Sequence, residues 1–357
     1  MIRLETIREF CKHGDWANDR LVSAAEGLSD EQLDRPIEMG RGDLRKTLLH
    51  IYAGEYVWLQ RWIGNADQPW VAEGEPLPVA EIARLFKRMR ADRDASLASL
   101  TDSDLNRTQG YLDTLEGRFT ATLGDMLLQG CSHSMHHRAQ AANMLRRVGE
   151  KPPGLDYLLL RLLKPTIELD ADVKNGIRSL GIVPSDSIAS PCALDPQNML
   201  YFNRYGDWAF GQLLDAADRL DDEQLDRRFD IGPGTLRLAL LHIHDAEHWW
   251  CGCWTADVPL PEEDAPESTP LAELRAQFDE TRRVRNAFLE ENNEAALQRV
   301  TSATLPSGTK VTFRIGETML QLCGHGTHHR AQAVNMLRRL GAKPPELDYM
   351  MWVRKPA

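Results

Sequence analysis

The sequence predicts an all-α protein of two tandem four-helix bundles, with a small β-hairpin allowed in each. Three observations predict it. The chain repeats itself at a constant offset, so that Cys131-Ser-His-Ser-Met-His-His-Arg-Ala-Gln140 returns as Cys323-Gly-His-Gly-Thr-His-His-Arg-Ala-Gln332 and Leu-Asp-Tyr157 returns as Leu-Asp-Tyr349. Each copy carries four long segments whose apolar residues recur at helical spacing. Neither copy has a run of core strands, and four amphipathic helices bury their apolar stripes most simply by packing together.

The first helix of the first copy places Leu4, Ile7, Cys11, Gly14, Asn18, Leu21, Ala25 and Leu28 on one face through steps of three and four. Its counterpart opens at Asp195-Pro196, a cap followed by a first-turn proline. Gly14-Asp-Trp16 and Asp30-Glu-Gln-Leu-Asp34 return as Gly206-Asp-Trp208 and Asp222-Glu-Gln-Leu-Asp226. A second helix is expected to start after the N-caps Asp43 and Thr235 and to run to about Gly64 and Ala256. A proline-bearing connection leads to a third, about Val79–Leu100 and Leu271–Glu291. A polar stretch with turns at Glu116-Gly117 and Ser307-Gly308 allows the hairpin, and Lys310-Val-Thr-Phe313 alternates as a strand does. The fourth helix, about Leu123–Val148 and Ile315–Leu340, ends in paired arginines, then glycine, then proline, which is a strong stop signal. Residues 1–164 and 195–357 are thus read as the two bundles, and 165–194, with Pro165, Pro184, Pro191 and a short helix near Ala171–Leu180, as the connector.

Composition narrows the partners. A chain of 357 residues suits two domains, each large enough for its own core. A formal charge of −11 argues against a grip on nucleic acid phosphates. No stretch approaches the roughly 20 apolar residues of a membrane span, and charges break up the first residues where a signal peptide would be apolar. Of the cysteines at 11, 131, 192, 251, 253 and 323, only Cys131 and Cys323 correspond across the repeat, which is not a disulfide framework. A cytoplasmic protein acting on a small molecule is the expectation.

The chemistry gathers on histidines. His133 and His137 lie four apart on the fourth helix, so both rings leave one face, and Gln140 and Met144 continue that stripe. His50 sits among Leu48, Leu49 and Ile51 on the second helix, where an unpaired polar group is costly. If the two helices pack together, three neutral imidazoles converge and leave a coordination position open, as reactive zinc sites do. A pair of this spacing alone is as easily a pair of satisfied core histidines. Its return as His242, His325 and His329 favours the metal site. Imidazole suits zinc, nickel, iron and copper alike, so the ion stays open. His136 and His328 point about 100° away from their neighbours and are read as supporting or surface residues. Glu55 and Glu247 support a ligand or pair with Arg138 and Arg330.

These residues resemble the DinB family of the DinB/YfiT-like superfamily: Leu-Leu-His50-Ile with Glu55 and Trp58, then His133-x-x-x-His137-Arg-x-Gln140, then Gly-x-x-Pro-Pro-x-Leu-Asp, all with counterparts in the second copy. Ala139 and Ala331 stand where the family usually has glycine. The resemblance implies a DinB-like bundle in each copy, with one divalent ion, zinc, nickel or iron, held by His50, His133 and His137 and another by His242, His325 and His329. Characterised relatives include thiol-dependent S-transferases and a thiol-dependent isomerase, which implies a low-molecular-weight thiol cosubstrate. Family members often pair, so the fusion is expected to supply an intrachain pseudo-dimer, with further homo-oligomerisation open.

The copies also differ. His244, His248 and Cys251 form a stripe in the second copy only, read as a packing or domain-contact face rather than a third metal site. Cys251-Gly-Cys253 diverges by about 200° on a helix and cannot chelate. Phe210 replaces Asn18 and Ala246 replaces Gly54, so the two sites should differ, with one half working and the other supporting it. The leading reading is a metal-dependent thiol S-transferase. Isomerisation, metal-dependent hydrolysis and a non-catalytic metal-binding stress protein remain open beside it.

Overall fold

A computed structural model describes residues 2–70, 76–113, 117–255, 267–305 and 307–356. The helix ends expected at Ala256 and the turn residue Glu116 lie outside the described residues. In chain order the elements of the first repeat are α1 (Leu4–Glu26), α2 (Asp30–Leu33), α3 (Leu44–Trp62), α4 (Val79–Ala98), β1 (Thr108–Leu112), β2 (Arg118–Thr122) and α5 (Leu123–Arg147). After α6 (Tyr157–Leu163) and α7 (Ala171–Ser179), the second repeat gives α8 (Pro196–Ala217), α9 (Asp222–Leu225), α10 (Leu236–Trp254), α11 (Leu271–Glu291), α12 (Glu294–Gln298), β3 (Val300–Thr304), β4 (Lys310–Arg314) and α13 (Ile315–Arg339). α14 (Tyr349–Val353) and β5 (Lys355–Pro356) follow. The fold is all-α, with small antiparallel strand pairings beside the helices.

The expected caps are present. Asp43 Oδ1 accepts from Lys46 N at 2.7 Å, Thr235 Oγ1 from Leu238 N at 3.1 Å, and Asp195 Oδ1 from Gln197 N at 2.7 Å ahead of Pro196. α5 and α13 end at Arg147 and Arg339, two residues before Gly149 at φ +90 and Gly341 at φ +79, where a side chain would be strained. The single turns α2 and α9 were not anticipated. Each closes a capping box, and each presents two carboxylates to an arginine in the first turn of the next long helix. Arg45 pairs with Asp30 and Asp34, Arg237 with Asp222 and Asp226. The repeated Asp-Glu-Gln-Leu-Asp is therefore a clamp that fixes the entry into α3 and α10.

The chain forms two compact units, Met1–Pro153 with Pro344–Ala357 and Gly154–Lys343. In the first, α1, α3, α4 and α5 surround a core that includes Ile7, Leu21, Leu48, Ile51, Phe86, Met126 and Met144. In the second, α8, α10, α11 and α13 do the same around Leu213, Leu240, Phe278, Met319 and Met336. Units and repeats are different partitions of the chain, because the tail after each fourth helix belongs with the other repeat's bundle. α14 packs on α5, and the Tyr349 hydroxyl donates to Asp125 Oδ1 at 2.7 Å. α6 packs on α13, and the Thr166 hydroxyl donates to Glu317 Oε1 at 2.6 Å.

Candidate metal centre

α3 packs against α5, and α10 against α13, along the faces that carry the histidines. His50, His133 and His137 come together so that one nitrogen from each lies within 4.8 Å of the others, and His242, His325 and His329 do the same. Ring centroids are 4.4 to 5.1 Å apart in the first trio and 4.4 to 4.9 Å in the second. Among the described residues no fourth histidine, cysteine or acidic side chain joins either cluster.

Several groups set the rings. Gln140 Oε1 lies 2.7 Å from His137 Nδ1, and Gln332 Oε1 lies 2.8 Å from His329 Nδ1. An amide oxygen only accepts, so Nδ1 carries the proton and Nε2 keeps its lone pair. The same amides reach outward to Nε2 of His136 at 3.0 Å and of His328 at 2.9 Å, which makes these two histidines supports for the neighbouring ring. Gly40 and Gly232 close the arrangement from the loop before α3 and α10. Both have positive φ, and a Cβ on Gly40 would come within 2.6 Å of Gln140 Oε1. Sequence reasoning saw the glutamines on the stripe but not these loops.

Burial keeps four of the imidazoles neutral. It pushes His50 down to about 2, assisted by His137 and Arg41, and it also lowers His133, His137 and His329, whose neighbours are other rings of the same trio. A neutral imidazole is the form that can bind a metal. Among the described residues, His133 Nδ1 and His325 Nε2 are buried nitrogens without a hydrogen-bond partner. A ring nitrogen left in that state is costly unless something binds it, and a cation among three lone pairs supplies that partner. The residues present therefore fit a divalent ion.

The two centres differ. Trp70 lies 5.0 Å from His50 and 5.8 Å from His133, ring centre to ring centre, and both histidines are buried. Nothing in the spacing of the sequence pointed to this tryptophan. In the second trio His242 is exposed, and His325 and His329 are half-buried. The rings also turn differently. At Gly54 a Cβ would stand 2.5 Å from His133 Nδ1, whereas Ala246 carries a Cβ at the equivalent place. His325 instead has its Nδ1 3.9 Å from Asp156 Oδ1.

In the first bundle a small cavity of about 30 Å³ is lined by Cys11, Glu55, Arg93, Cys131 and Arg138, among others. Glu55 lies 3.9 Å from Arg138, and Asn18 joins them, donating to Glu55 Oε1 at 3.0 Å and accepting from Arg138 at 3.2 Å. With Phe210 in place of Asn18, Glu247 pairs with Arg285, and Arg330 donates to Thr327 Oγ1 at 2.8 Å. The glutamates are ion-pair residues of the bundle interior. The stripe in the second copy is self-satisfied: Thr281 Oγ1 lies 3.3 Å from His244 Nε2 and 3.0 Å from His248 Nδ1, and His244 Nδ1 is 2.9 Å from Asp245. This is the packing face expected.

A family model described as DinB family matches residues 1–168 and again residues 196–355. No curated protein and no solved structure matches the chain. Two matches that each enclose one histidine trio cover nearly all of the sequence, and so the chain belongs to the DinB family, as two tandem copies of its domain.

Proposed function

We propose that this chain is a divalent-metal-dependent enzyme that transfers a low-molecular-weight thiol to a small electrophile, with one zinc, nickel or iron ion held in each trio. The observation that carries the reading is the convergence of three imidazoles, twice, with no fourth histidine, cysteine or acidic ligand among the described residues. A divalent ion with only neutral ligands keeps its full charge, favours a coordinated thiolate over the thiol, and so supplies a nucleophile at neutral pH.

The chain's own residues do the rest. His50, His133 and His137, and His242, His325 and His329, offer the ligating nitrogens. Gln140 and Gln332 fix the tautomer of one ring in each trio through Nδ1. Three of the protein's thiols are poor nucleophiles: the hydrogen bond to Cys131 and burial raise Cys11, while desolvation raises Cys251 and Cys323 to about 12. In this reading the reacting sulfur is that of the low-molecular-weight cosubstrate. It forms a new sulfur–carbon bond, and the thiol proton ends on the adduct or leaves with the displaced group. The open second centre is the better candidate for turnover, and the first, closed beneath Trp70, for support.

The test is metal content and ligand exchange in the full chain. Zinc-supplemented protein should hold about two ions, and His50→Ala or His242→Ala about one. In the cobalt-substituted protein, a small thiol should shift the visible spectrum. Two bound ions with a spectrum indifferent to thiols would leave a non-catalytic metal-binding protein, and thiol-independent ester or amide cleavage would leave a hydrolase. No bound ion at all would end the proposal.

A further inference from the structure

The Leu-Asp-Tyr segment that follows each fourth helix has so far no role in the chemistry, although it recurs at Leu155-Asp156-Tyr157 and Leu347-Asp348-Tyr349. Within the unit Gly154–Lys343, Asp156 stands at the N-terminus of α6, which packs on α13. Its position is fixed from two sides. Gln321 Nε2 donates to Asp156 Oδ1 at 2.6 Å, and Gln321 Oε1 accepts from Leu158 N at 3.2 Å. One glutamine side chain thus holds both the carboxylate and the first turn of α6. Gln321 lies one helical turn before His325 on α13, so the oxygen it fixes stands beside that ring, 3.9 Å from Nδ1. The other nitrogen of the same ring, Nε2, is the one buried without a hydrogen-bond partner. A histidine with a carboxylate beside one nitrogen and no hydrogen-bond partner on the other is placed as metal-binding histidines are.

We infer that Asp156 is a positioning residue for the second metal centre: its carboxylate, 3.9 Å from His325 Nδ1, draws the Nδ1–H towards itself, favours the tautomer with the lone pair on Nε2, and makes that nitrogen a stronger ligand. The inference rests on the metal-binding reading above and adds a residue from the far end of the first repeat to the site built by the second. The first unit repeats the anchor, since Gln129 Oε1 accepts from Met350 N at 2.9 Å. Its ring differs, because there it is His133 Nδ1, packed towards Gly54, that has no hydrogen-bond partner among the described residues. The device is therefore assigned to the second centre alone.

The test uses the full chain with the first centre disabled by His133→Asn, so that one site remains. Zinc affinity is measured by competition with a chromophoric chelator in this parent and with Asp156→Asn or Asp156→Ala added. Asparagine keeps an acceptor for Gln321, and so keeps α6 anchored, while it removes the charge. Both variants should bind zinc at least about tenfold more weakly, within the range found when such partners of metal-bound histidines are removed. The ¹⁵N-coupled Nδ1–H signal of His325 should appear in the zinc-loaded parent and be lost in both variants, while melting in EDTA stays close to that of the parent. Unchanged affinity would overturn the inference while leaving the metal site standing. A loss confined to the alanine variant, together with a lower melting temperature in EDTA, would make Asp156 only an anchor of α6 and overturn it equally. A parent that binds no zinc would instead sink the metal reading of the second centre, and this inference with it.

Discussion

Single atoms decide how each histidine presents itself. His133 leans on Gly54, where any Cβ would stand 2.5 Å from its Nδ1, while the second repeat has alanine at the equivalent position. Gly54→Ala should therefore turn His133 and weaken zinc binding at the first centre, with the second unchanged. Chelator competition on the full chain, showing one weakened site and one intact site, is the expected result; two intact sites would contradict it. Gly40→Ala acts through another atom, Gln140 Oε1, and places a Cβ at φ +51, which side chains rarely adopt. It should lower the melting temperature of the metal-free protein as well as zinc affinity, because backbone strain is present with or without an ion. The sequence showed the histidines and the glutamines through helical spacing. It could not show the glycines' part, since their role depends on what stands opposite them.

Among the elements, the clamp at the start of α3 and α10 sets how the site loop enters. Arg45 is 5% exposed, donates to Leu77 O at 2.9 Å, and pairs with Asp34 and Asp30, whose side chains are 43% and 89% exposed. Removing the buried member leaves a carbonyl and a carboxylate unmet, whereas removing the exposed one is screened by water. Arg45→Met should thus cost about 1–3 kcal/mol in urea unfolding, and Asp30→Asn less than about 1 kcal/mol. Equal costs would mean that the clamp does not hold the loop. The long helices and their ends were legible because caps, paired arginines and glycines are local signals. The clamp turns α2 and α9 were not, because a four-residue helix has no periodicity to read. Their motif was visible only as a repeat.

Over the whole molecule the buried imidazoles make stability depend on pH. His50, His133, His137 and His329 are held below the ordinary imidazole value, first by burial and then by neighbouring positive groups or rings. In the unfolded chain they take up protons near pH 6.5. Below that pH the unfolded state binds protons that the metal-free folded state does not. The stability present above about pH 6.5 is therefore lost as the pH falls, by up to about 1.4 kcal/mol per pH unit for each such group. For His50 the window runs from 6.5 down to about 2. Melting in EDTA at pH 7, 6 and 5 should fall more steeply for the wild type than for His50→Gln/His137→Gln. Parallel curves would show that these rings do not resist protonation.

The sequence by itself determined the all-α class, the two copies of the family domain and the six histidines that meet in two trios, because helical periodicity turns spacing into a shared face and an internal repeat states the same pattern twice. Only the tertiary structure decided that Trp70 lies against one trio, that Asp156 stands beside His325, and that the tail after each fourth helix belongs to the other repeat's bundle. These are contacts between residues far apart in the chain. They follow no period, and they depend on which surfaces remain uncovered once the helices have packed.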